Sequence, residues 1–151
     1  MSQDEILNSL IKKFPFLEGK IRAPRARRIF SDDITANFDE VFNYAIKDLE
    51  FSILCTITGL DDGDRITFAY HIARIDGNIL TIKRSSPKPD PVIKTITPIF
   101  FGADIYEREL VDLLGVRVEG LPKGNRYPLP DDWPKGECPL RKDWKKGKNS
   151  G

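Results

Sequence analysis

Alternating apolar and polar residues between positions 51 and 84 constrain the fold more than any other feature of this sequence. In residues 51–58 the odd positions hold Phe, Ile, Cys and Ile, while most even positions hold Ser or Thr. This period of two is typical of a β-strand with one buried face. A second alternating stretch covers residues 66–72, and a third strand is expected at 79–84, after the tight-turn residues Asp76 and Gly77. Three consecutive strands with short turns predict an antiparallel meander.

Two helical patterns precede the predicted strands. Apolar residues recur at helical spacing over residues 3–14, where Ser2 and Glu5 form a capping box and Pro15 ends the helix. The clearest helix spans residues 38–49, with apolar residues at i, i+3, i+4, i+7 and i+8. An antiparallel β-meander sheet covered by helices defines an α+β fold.

Two other segments have weaker patterns. Residues 20–30 predict a strand that is interrupted at Pro24, which suits a sheet edge. Asp90 and Pro91 are expected to open a short helix, as N-cap and first helical residue, and Pro98 is expected to end it. The core is predicted to contain apolar side chains of the second helix and the strands, namely Phe38, Val41, Phe42, Ile46, Leu49, Ile53, Ile57, Phe68, Tyr70 and Ile82.

The last third of the chain combines a charged helix with a long segment that shows no periodicity. The run from Tyr106 to Leu114 predicts a helix that ends at Gly115, because glycine readily adopts the left-handed conformation of a helix C-terminus. The segment after it is rich in proline, yet it holds both tryptophans of the protein. Irregular segments of this length are uncommon in compact domains. We therefore expect an α+β core domain at 1–115 and a long irregular C-terminal tail at 116–151 that lies on another protein.

The net charge of the chain does not indicate a class of partner. The 24 basic and 23 acidic residues nearly cancel, so no strong field attracts nucleic acid or a membrane surface. Four arginines do cluster, at Arg22, Arg25, Arg27 and Arg28. They could bind phosphate. A simpler interpretation is that their charges keep an exposed edge strand from pairing with another chain. No apolar run approaches the ~20 residues that span a bilayer, so we expect neither a signal peptide nor a membrane-spanning helix.

Residues with catalytic or metal-binding chemistry are few and scattered. Two cysteines, Cys55 and Cys138, and one histidine, His71, cannot alone build an iron–sulfur cluster or a structural zinc site, since these usually need four ligands. Cys55 is most simply a small core residue, and the sequence near His71 offers no nucleophile or orienting partner. No P-loop or dinucleotide fingerprint occurs. We expect the chain to hold no cofactor and to shape or bridge an enzyme.

Acidic residues of the last helix could suggest a pair of carboxylates for acid–base catalysis. However, Glu107 and Glu109 project from different sides of a helix, while Arg108 and Asp112 are spaced to pair at i, i+4. An interface or a solvated ion-pair face is the simpler interpretation.

Several blocks in the last third occur in the order that characterises one known family. They are Glu107 to Val116, Glu119 with Gly120, Leu129 to Trp133, and Pro139 to Asp143. Together they resemble the 30-kDa subunit family of respiratory complex I, which includes the equivalent subunit of energy-converting membrane-bound [NiFe] hydrogenases. The similar region covers residues 98–144, and the order of helix, meander and helix upstream is similar in kind.

Two stretches depart from the pattern of the complex I members. Those members usually carry a Gly-His-Pro-Asp-Leu-Arg-Arg-like stretch after the helix, where this chain has residues 120–127. They also carry Gly-His-Pro-Leu-Arg-Lys-Asp, where this chain has residues 136–143. Both histidines are missing here, which favours the hydrogenase branch over the quinone-reducing branch.

The resemblance implies a cofactor-free structural subunit in the peripheral arm of a membrane-anchored respiratory oxidoreductase, on the cytoplasmic side of the cell membrane. Its partners would be a hydrogenase-like or complex I-like large subunit and a neighbouring iron–sulfur subunit, which would hold the [NiFe] centre and the iron–sulfur clusters. It would contact the membrane only through the complex. The residues predicted to bind these partners are Glu107, Arg108, Glu109, Asp112, Tyr127, Asp131, Asp132, Trp133, Leu140, Arg141, Asp143 and Trp144.

Three alternatives stay open. Within the same class, the chain would be the 30-kDa-type subunit of an NADH- or ferredoxin-quinone oxidoreductase, that is, of complex I itself. A small nucleic-acid-binding module could use the arginines at 22–28, but the strands lack an aromatic stacking pattern and the net charge is only +1. An independent enzyme around His71 has the least support.

Overall fold

A computed structural model describes residues 1–146 of the chain. The helices are α1 (Gln3–Lys13), α2 (Phe38–Lys47) and α3 (Ala103–Leu114). The strands are β1 (Ile21–Arg25), β2 (Arg28–Asp33), β3 (Ile53–Asp61), β4 (Arg65–Ala73), β5 (Ile79–Pro87), β6 (Val92–Lys94) and β7 (Arg117–Glu119).

The larger sheet contains five strands in the order β1-β2-β5-β4-β3 and is mostly antiparallel. The strands β3, β4 and β5 are consecutive in the chain and adjacent in the sheet, which confirms the predicted meander. Strand β2 lies parallel to β5, with Ile29 opposite Leu80. Because helices accompany this sheet, the α+β class predicted from the sequence is confirmed.

The segment predicted as one interrupted strand at 20–30 is instead a hairpin of β1 and β2. Arg25 pairs with Arg28, and Arg27 in the turn between them has a positive φ of 60°. The side chain of Gln3 accepts a hydrogen bond from the Arg27 backbone N–H and donates one to the Arg25 carbonyl. This contact comes from a distant part of the chain, so the local pattern could not show the turn. The predicted edge position is correct, since β1 ends the sheet order.

The prediction of a short helix that begins at Asp90 is wrong. Residues Val92–Lys94 form β6, which pairs in parallel with β7 so that Ile93 lies opposite Val118. The residues Asp90 and Pro91 are typical of a helix start, but that pattern is local. Pairing of β-branched residues with a strand that follows much later in the chain outweighs it.

Contacts divide the chain into two compact units. The first comprises residues 1–56 and 69–84, and the second comprises residues 57–68 and the chain from 85 onward. In the first unit, Phe38 stacks on Phe42 at 5.0 Å between ring centroids. The predicted division into 1–115 and 116–151 concerns independent folding and stays a prediction.

An arginine completes the aromatic core of the first unit. The Arg84 guanidinium lies 4.2 Å from the centre of the Phe38 ring, and its Nε donates to the Tyr70 hydroxyl at 3.1 Å. Only 8% of Arg84 is exposed. A buried cation of this kind is tolerated because aromatic faces attract it electrostatically.

Eight of the ten predicted core residues are buried: Phe38, Val41, Phe42, Leu49, Ile57, Phe68, Tyr70 and Ile82. The prediction is wrong for Ile53, which is 46% exposed, and Ile46 is only partly buried. Cys55, predicted as a core residue, is exposed as well. Strand β3 is at the sheet edge, and at its start Leu54 and Thr56 are the more covered side chains. A period of two does not by itself identify the buried face.

Among residues 1–146, no helix has both the length and the apolar character needed to cross a membrane.

Candidate partner-binding site

Helix α3 is the centre of the second unit. Its buried residues Ala103, Glu107, Leu110 and Leu114 recur at helical spacing and define one inward face. Gly59 in β3 permits a close approach, because a Cβ atom there would lie only 2.3 Å from the Leu114 side chain. As predicted, the helix ends at Gly115, which has a φ of 71° and donates its N–H to the carbonyls of the last turn.

Glu107 is fully buried, although it was predicted from the sequence to be a partner-binding residue. Its Oε2 accepts a hydrogen bond from Thr95 Oγ1 at 2.6 Å, and its Oε1 accepts one from the Ile96 backbone N–H at 2.8 Å. The inward face of α3 therefore includes a glutamate whose hydrogen bonds fix residues 95 and 96 before the helix. The i, i+4 pattern alone could not reveal this, because it does not say which carboxylate points inward.

We expect Glu107→Ala to destabilise the protein by about 1–3 kcal/mol, since it leaves a buried hydroxyl and a buried backbone N–H without their acceptor. Glu109→Ala on the same helix is the matched control. Glu109 is half-buried and lies outside this network, so its loss should change stability by less than about 0.5 kcal/mol. Urea denaturation of both variants measures the difference. Equal stability of the two would contradict the structural role of Glu107.

Asp112 binds the tail rather than Arg108. Its Oδ1 accepts from Arg126 Nε at 3.4 Å, and its Oδ2 accepts from the Leu129 backbone N–H at 3.2 Å. Arg126 also donates to the Trp133 carbonyl at 2.8 Å. Arg108 donates to the Pro122 carbonyl, so the predicted i, i+4 pair does not form. The tail supplies partners that displace the pairing expected on an isolated helix.

Arg141 holds a second part of the tail against the end of α3. Its Nε donates to the Leu114 carbonyl at 2.6 Å, and its Nη2 donates to the Lys88 carbonyl at 3.3 Å. The Leu140 backbone N–H donates to the Leu113 carbonyl at 3.0 Å. The last carbonyls of a helix have no partner within the helix. Arg141 therefore satisfies the C-terminus of α3 with a charged donor, which the helix dipole favours.

A third contact binds the tail to a buried carboxylate. Asp61 Oδ2 accepts from Lys88 Nζ at 2.7 Å and from the Lys142 backbone N–H at 2.8 Å. Burial by itself would raise the pKa of Asp61, but the hydrogen bonds from Lys88 and the backbone outweigh it and hold this pKa well below its usual range. Lys88 also lies 3.5 Å from Asp143. These bonds place residues 142 and 143 beside β3 and β5.

The two tryptophans pack on each other, with ring centroids 6.1 Å apart. Trp133 Nε1 donates to the Glu137 carbonyl at 2.8 Å. Trp144 Nε1 is buried and has no acceptor within residues 1–146. Trp144, Cys138 and Arg141 line a cavity of about 500 Å³. Burial raises the pKa of the Cys138 thiol, so this cysteine is not an activated nucleophile.

The structure thus sorts the predicted partner-binding residues into three sets. Four of them bind other parts of the same unit: Glu107, Arg108, Asp112 and Arg141. Five are exposed, namely Tyr127, Asp131, Asp132, Leu140 and Asp143, although Asp143 also lies near Lys88. Glu109, Trp133 and Trp144 are intermediate in exposure. Sequence patterns did not indicate Asp61, Lys88 and Arg126, because the partners of these residues lie far away in the chain.

Groups with possible redox or catalytic chemistry are scattered. Within residues 1–146, no cluster of three or more His, Cys, Asp or Glu side chains could hold a metal ion. His71 Nδ1 lies 2.8 Å from Thr81 Oγ1. Burial and the nearby Lys83 ammonium lower the pKa of His71. The histidine is therefore engaged with a residue of the neighbouring strand β5.

The motifs of α3 and the tail also occur in known proteins. The sequence profile of the family described as "Respiratory-chain NADH dehydrogenase, 30 Kd subunit" matches residues 34–150. The chain belongs to this family. The 30-kDa subunit family was the one predicted from the blocks between Glu107 and Asp143, and the match confirms that prediction.

Relatives of this 30-kDa-type subunit come from more than one kind of complex. One F420H2 dehydrogenase subunit, from Methanosarcina mazei, is 35% identical over 95% of this chain and 92% of the relative. The beta subunit of a membrane-bound hydrogenase, from Pyrococcus furiosus, is 38% identical over 56% of this chain, and the match spans 51% of that relative. Both names support a subunit of an oxidoreductase complex.

The fold also matches a solved structure. A chain of the membrane-bound sulfane sulfur reductase, an archaeal respiratory membrane complex, superposes with a TM-score of 0.83 over 95% of this chain and 85% of that one. The two sequences are 24% identical. This likeness establishes that the two proteins share their fold.

Proposed function

We propose that this 30-kDa-type subunit is a structural, cofactor-free component of the peripheral arm of a membrane-anchored respiratory oxidoreductase. Its tail supports the catalytic large subunit during electron transfer coupled to ion translocation. Family membership supports this proposal, since the family is described as a respiratory-chain NADH dehydrogenase subunit and the relatives are named as subunits of an F420H2 dehydrogenase and a membrane-bound hydrogenase. The arrangement of the tail supports it as well.

Some residues of the tail are hydrogen-bonded within the second unit, while others expose their side chains. Asp112, Arg141 and Asp61 bind it within the second unit. Tyr127 and Leu140 remain 42% and 55% exposed. Aromatic, apolar and arginine side chains are common anchors of protein interfaces. We propose that this exposed side binds the large subunit.

The complex is proposed to be of the membrane-bound [NiFe] hydrogenase type. The similarity to a hydrogenase subunit and the two histidines absent from residues 120–127 and 136–143 favour this type. The large subunit would then hold the [NiFe] centre, and a neighbouring subunit the iron–sulfur clusters. The chain would lie on the cytoplasmic side of the membrane and reach it only through the complex.

A dehydrogenase of the complex I type is the second candidate. The match to the F420H2 dehydrogenase subunit favours it, since the two sequences align over nearly the whole of both chains. Nickel in the purified complex would identify the hydrogenase type. Flavin with iron–sulfur clusters and no nickel would identify the dehydrogenase type.

Arg141→Ala separates a role in assembly from a role in proton transfer. The substitution removes the donors to the Leu114 and Lys88 carbonyls, so the tail should detach from α3 and less complex should form. Complexes that do assemble should keep near-normal turnover per active site. Arg141→Lys is the matched control, because it keeps the charge and one donor.

The measurement is subunit quantification of the purified complex together with electron transfer per nickel or per cluster. Full assembly with turnover lowered about 100-fold or more, the scale of general acid–base catalysis, would contradict the structural role.

A further inference from the structure

The β1–β2 hairpin carries three arginines that have no carboxylate partner. Arg25 and Arg27 are exposed and Arg28 is half-buried. The Arg28 side chain donates to the neighbouring Arg27 carbonyl. Within residues 1–146, no Asp or Glu forms an ion pair with any of the three. Three like charges on one tight turn repel one another, and nothing in the described part of this chain neutralises them.

Three other arginines of the chain illustrate the usual pairing with an acidic group. Arg22, on the same strand, lies 2.9 Å from Asp32. Arg74 lies 3.0 Å from Asp76, and Arg117 lies 3.0 Å from Asp90. The chain holds 24 basic and 23 acidic residues, so acidic groups are not scarce. The three arginines of the turn differ from these three in having no acidic partner within residues 1–146.

The backbone of the turn is held in place. Gln3 Nε2 donates to the Arg25 carbonyl at 3.0 Å, and Gln3 Oε1 accepts from the Arg27 N–H at 2.8 Å. The Arg27 carbonyl accepts from the Ile79 N–H at 3.0 Å. Arg27 has a φ of 60°, a conformation that non-glycine residues adopt uncommonly. A turn fixed in this way needs little ordering of its backbone on binding.

The chemistry of the turn favours carboxylates as ligands. Guanidinium groups bind carboxylates and phosphates through two parallel hydrogen bonds, which lysine cannot do, so the surroundings of the turn must distinguish the two. Binding to anionic lipid usually needs larger basic clusters with apolar side chains that insert, and the turn at residues 24–28 holds only Pro24 and Ala26 besides its arginines. Single-stranded nucleic acid needs aromatic stacking platforms, which the turn lacks as well.

We propose that the hairpin of residues 24–28 docks against an acidic segment of a neighbouring subunit, whose carboxylates pair with Arg25, Arg27 and Arg28. This docking surface uses residues outside the tail. The proposal rests on the proposed function in one respect, namely that the chain works inside a multi-subunit complex.

Lysine variants and a carbodiimide test this surface directly in the purified complex. Arg25→Lys, Arg27→Lys and Arg28→Lys keep the charge and add an amine that the reagent joins to a contacting carboxylate. Mass spectrometry should find links from these positions to Asp or Glu residues of one neighbouring subunit. Arg22→Lys is the matched control, because its partner Asp32 is in the same chain, and it should give a link within the chain.

Charge reversal provides a second measurement. Arg25→Glu with Arg27→Glu should leave the circular dichroism spectrum of the chain unchanged and lower the salt concentration at which the complex dissociates. An intact complex with the control link but without links from 25, 27 and 28 to another subunit would overturn the proposal. The proposal would also be overturned if the chain bound phosphatidylglycerol vesicles or single-stranded RNA and lost this binding on Arg→Ala substitution. Recovery of the chain without any other subunit would overturn the proposed function itself.

Discussion

Deletion of residues 121–151 is expected to abolish assembly with the large subunit while the remaining chain still unfolds cooperatively. All helices and strands of residues 1–146 lie before this segment. The deletion removes the partners of Asp112, the Leu114 carbonyl and Asp61. Water can hydrate these groups once they are uncovered, so the melting temperature should fall without loss of the fold.

Co-purification through an affinity tag on this chain measures the assembly defect, and a thermal melt of the isolated chain measures the fold. A shortened chain that retains the large subunit would show that the tail is not the interface. A broad, non-cooperative melt would show that the tail belongs to the core of its unit.

Phe42→Ala is expected to destabilise the protein by about 3–5 kcal/mol, the usual cost of removing a buried phenyl ring and leaving a cavity. Phe42 is only 1% exposed, and its ring lies between Phe38, at 5.0 Å, and Tyr70, at 5.7 Å. These neighbours also contact the Arg84 guanidinium, at 4.2 and 4.9 Å. Collapse around the missing ring would disturb that cation as well.

Ile53→Ala is the matched control for this experiment. The Ile53 side chain is 46% exposed at the sheet edge, so its truncation should cost less than about 1 kcal/mol. Urea denaturation with a common slope for both variants gives the comparison. A Phe42 variant as stable as the Ile53 variant would contradict the aromatic core described here.

Local patterns were sufficient for the parts of the fold that depend on neighbouring residues. The meander, the capping box of Ser2 and Glu5, and the left-handed end of α3 at Gly115 were all predicted from spacing and residue type. The family was predicted from four ordered blocks in the last third. In these blocks the identities of the residues are characteristic, and not only the spacing of apolar and polar residues.

Long-range contacts were not predictable in the same way. The turn at Arg27 depends on Gln3, and strand β6 depends on β7. The same limit applies to the site. The pairing of Asp112 with Arg126, and of Asp61 with Lys88, joins residues that have no common spacing rule. Glu107 was placed at a surface because a charged side chain is rarely buried, and only its two hydrogen bonds explain the exception.

Isolation of the native complex through this chain tests the central claim most directly. The predicted result is a complex in which this chain and one large oxidoreductase subunit are present in equal amounts, with the metals and clusters assigned to the other subunits. Photochemical links from a photoreactive amino acid placed at position 127, 140 or 144 should then reach the large subunit. Recovery of this chain alone, or with stoichiometric iron, zinc or flavin bound to it, would contradict a cofactor-free structural subunit.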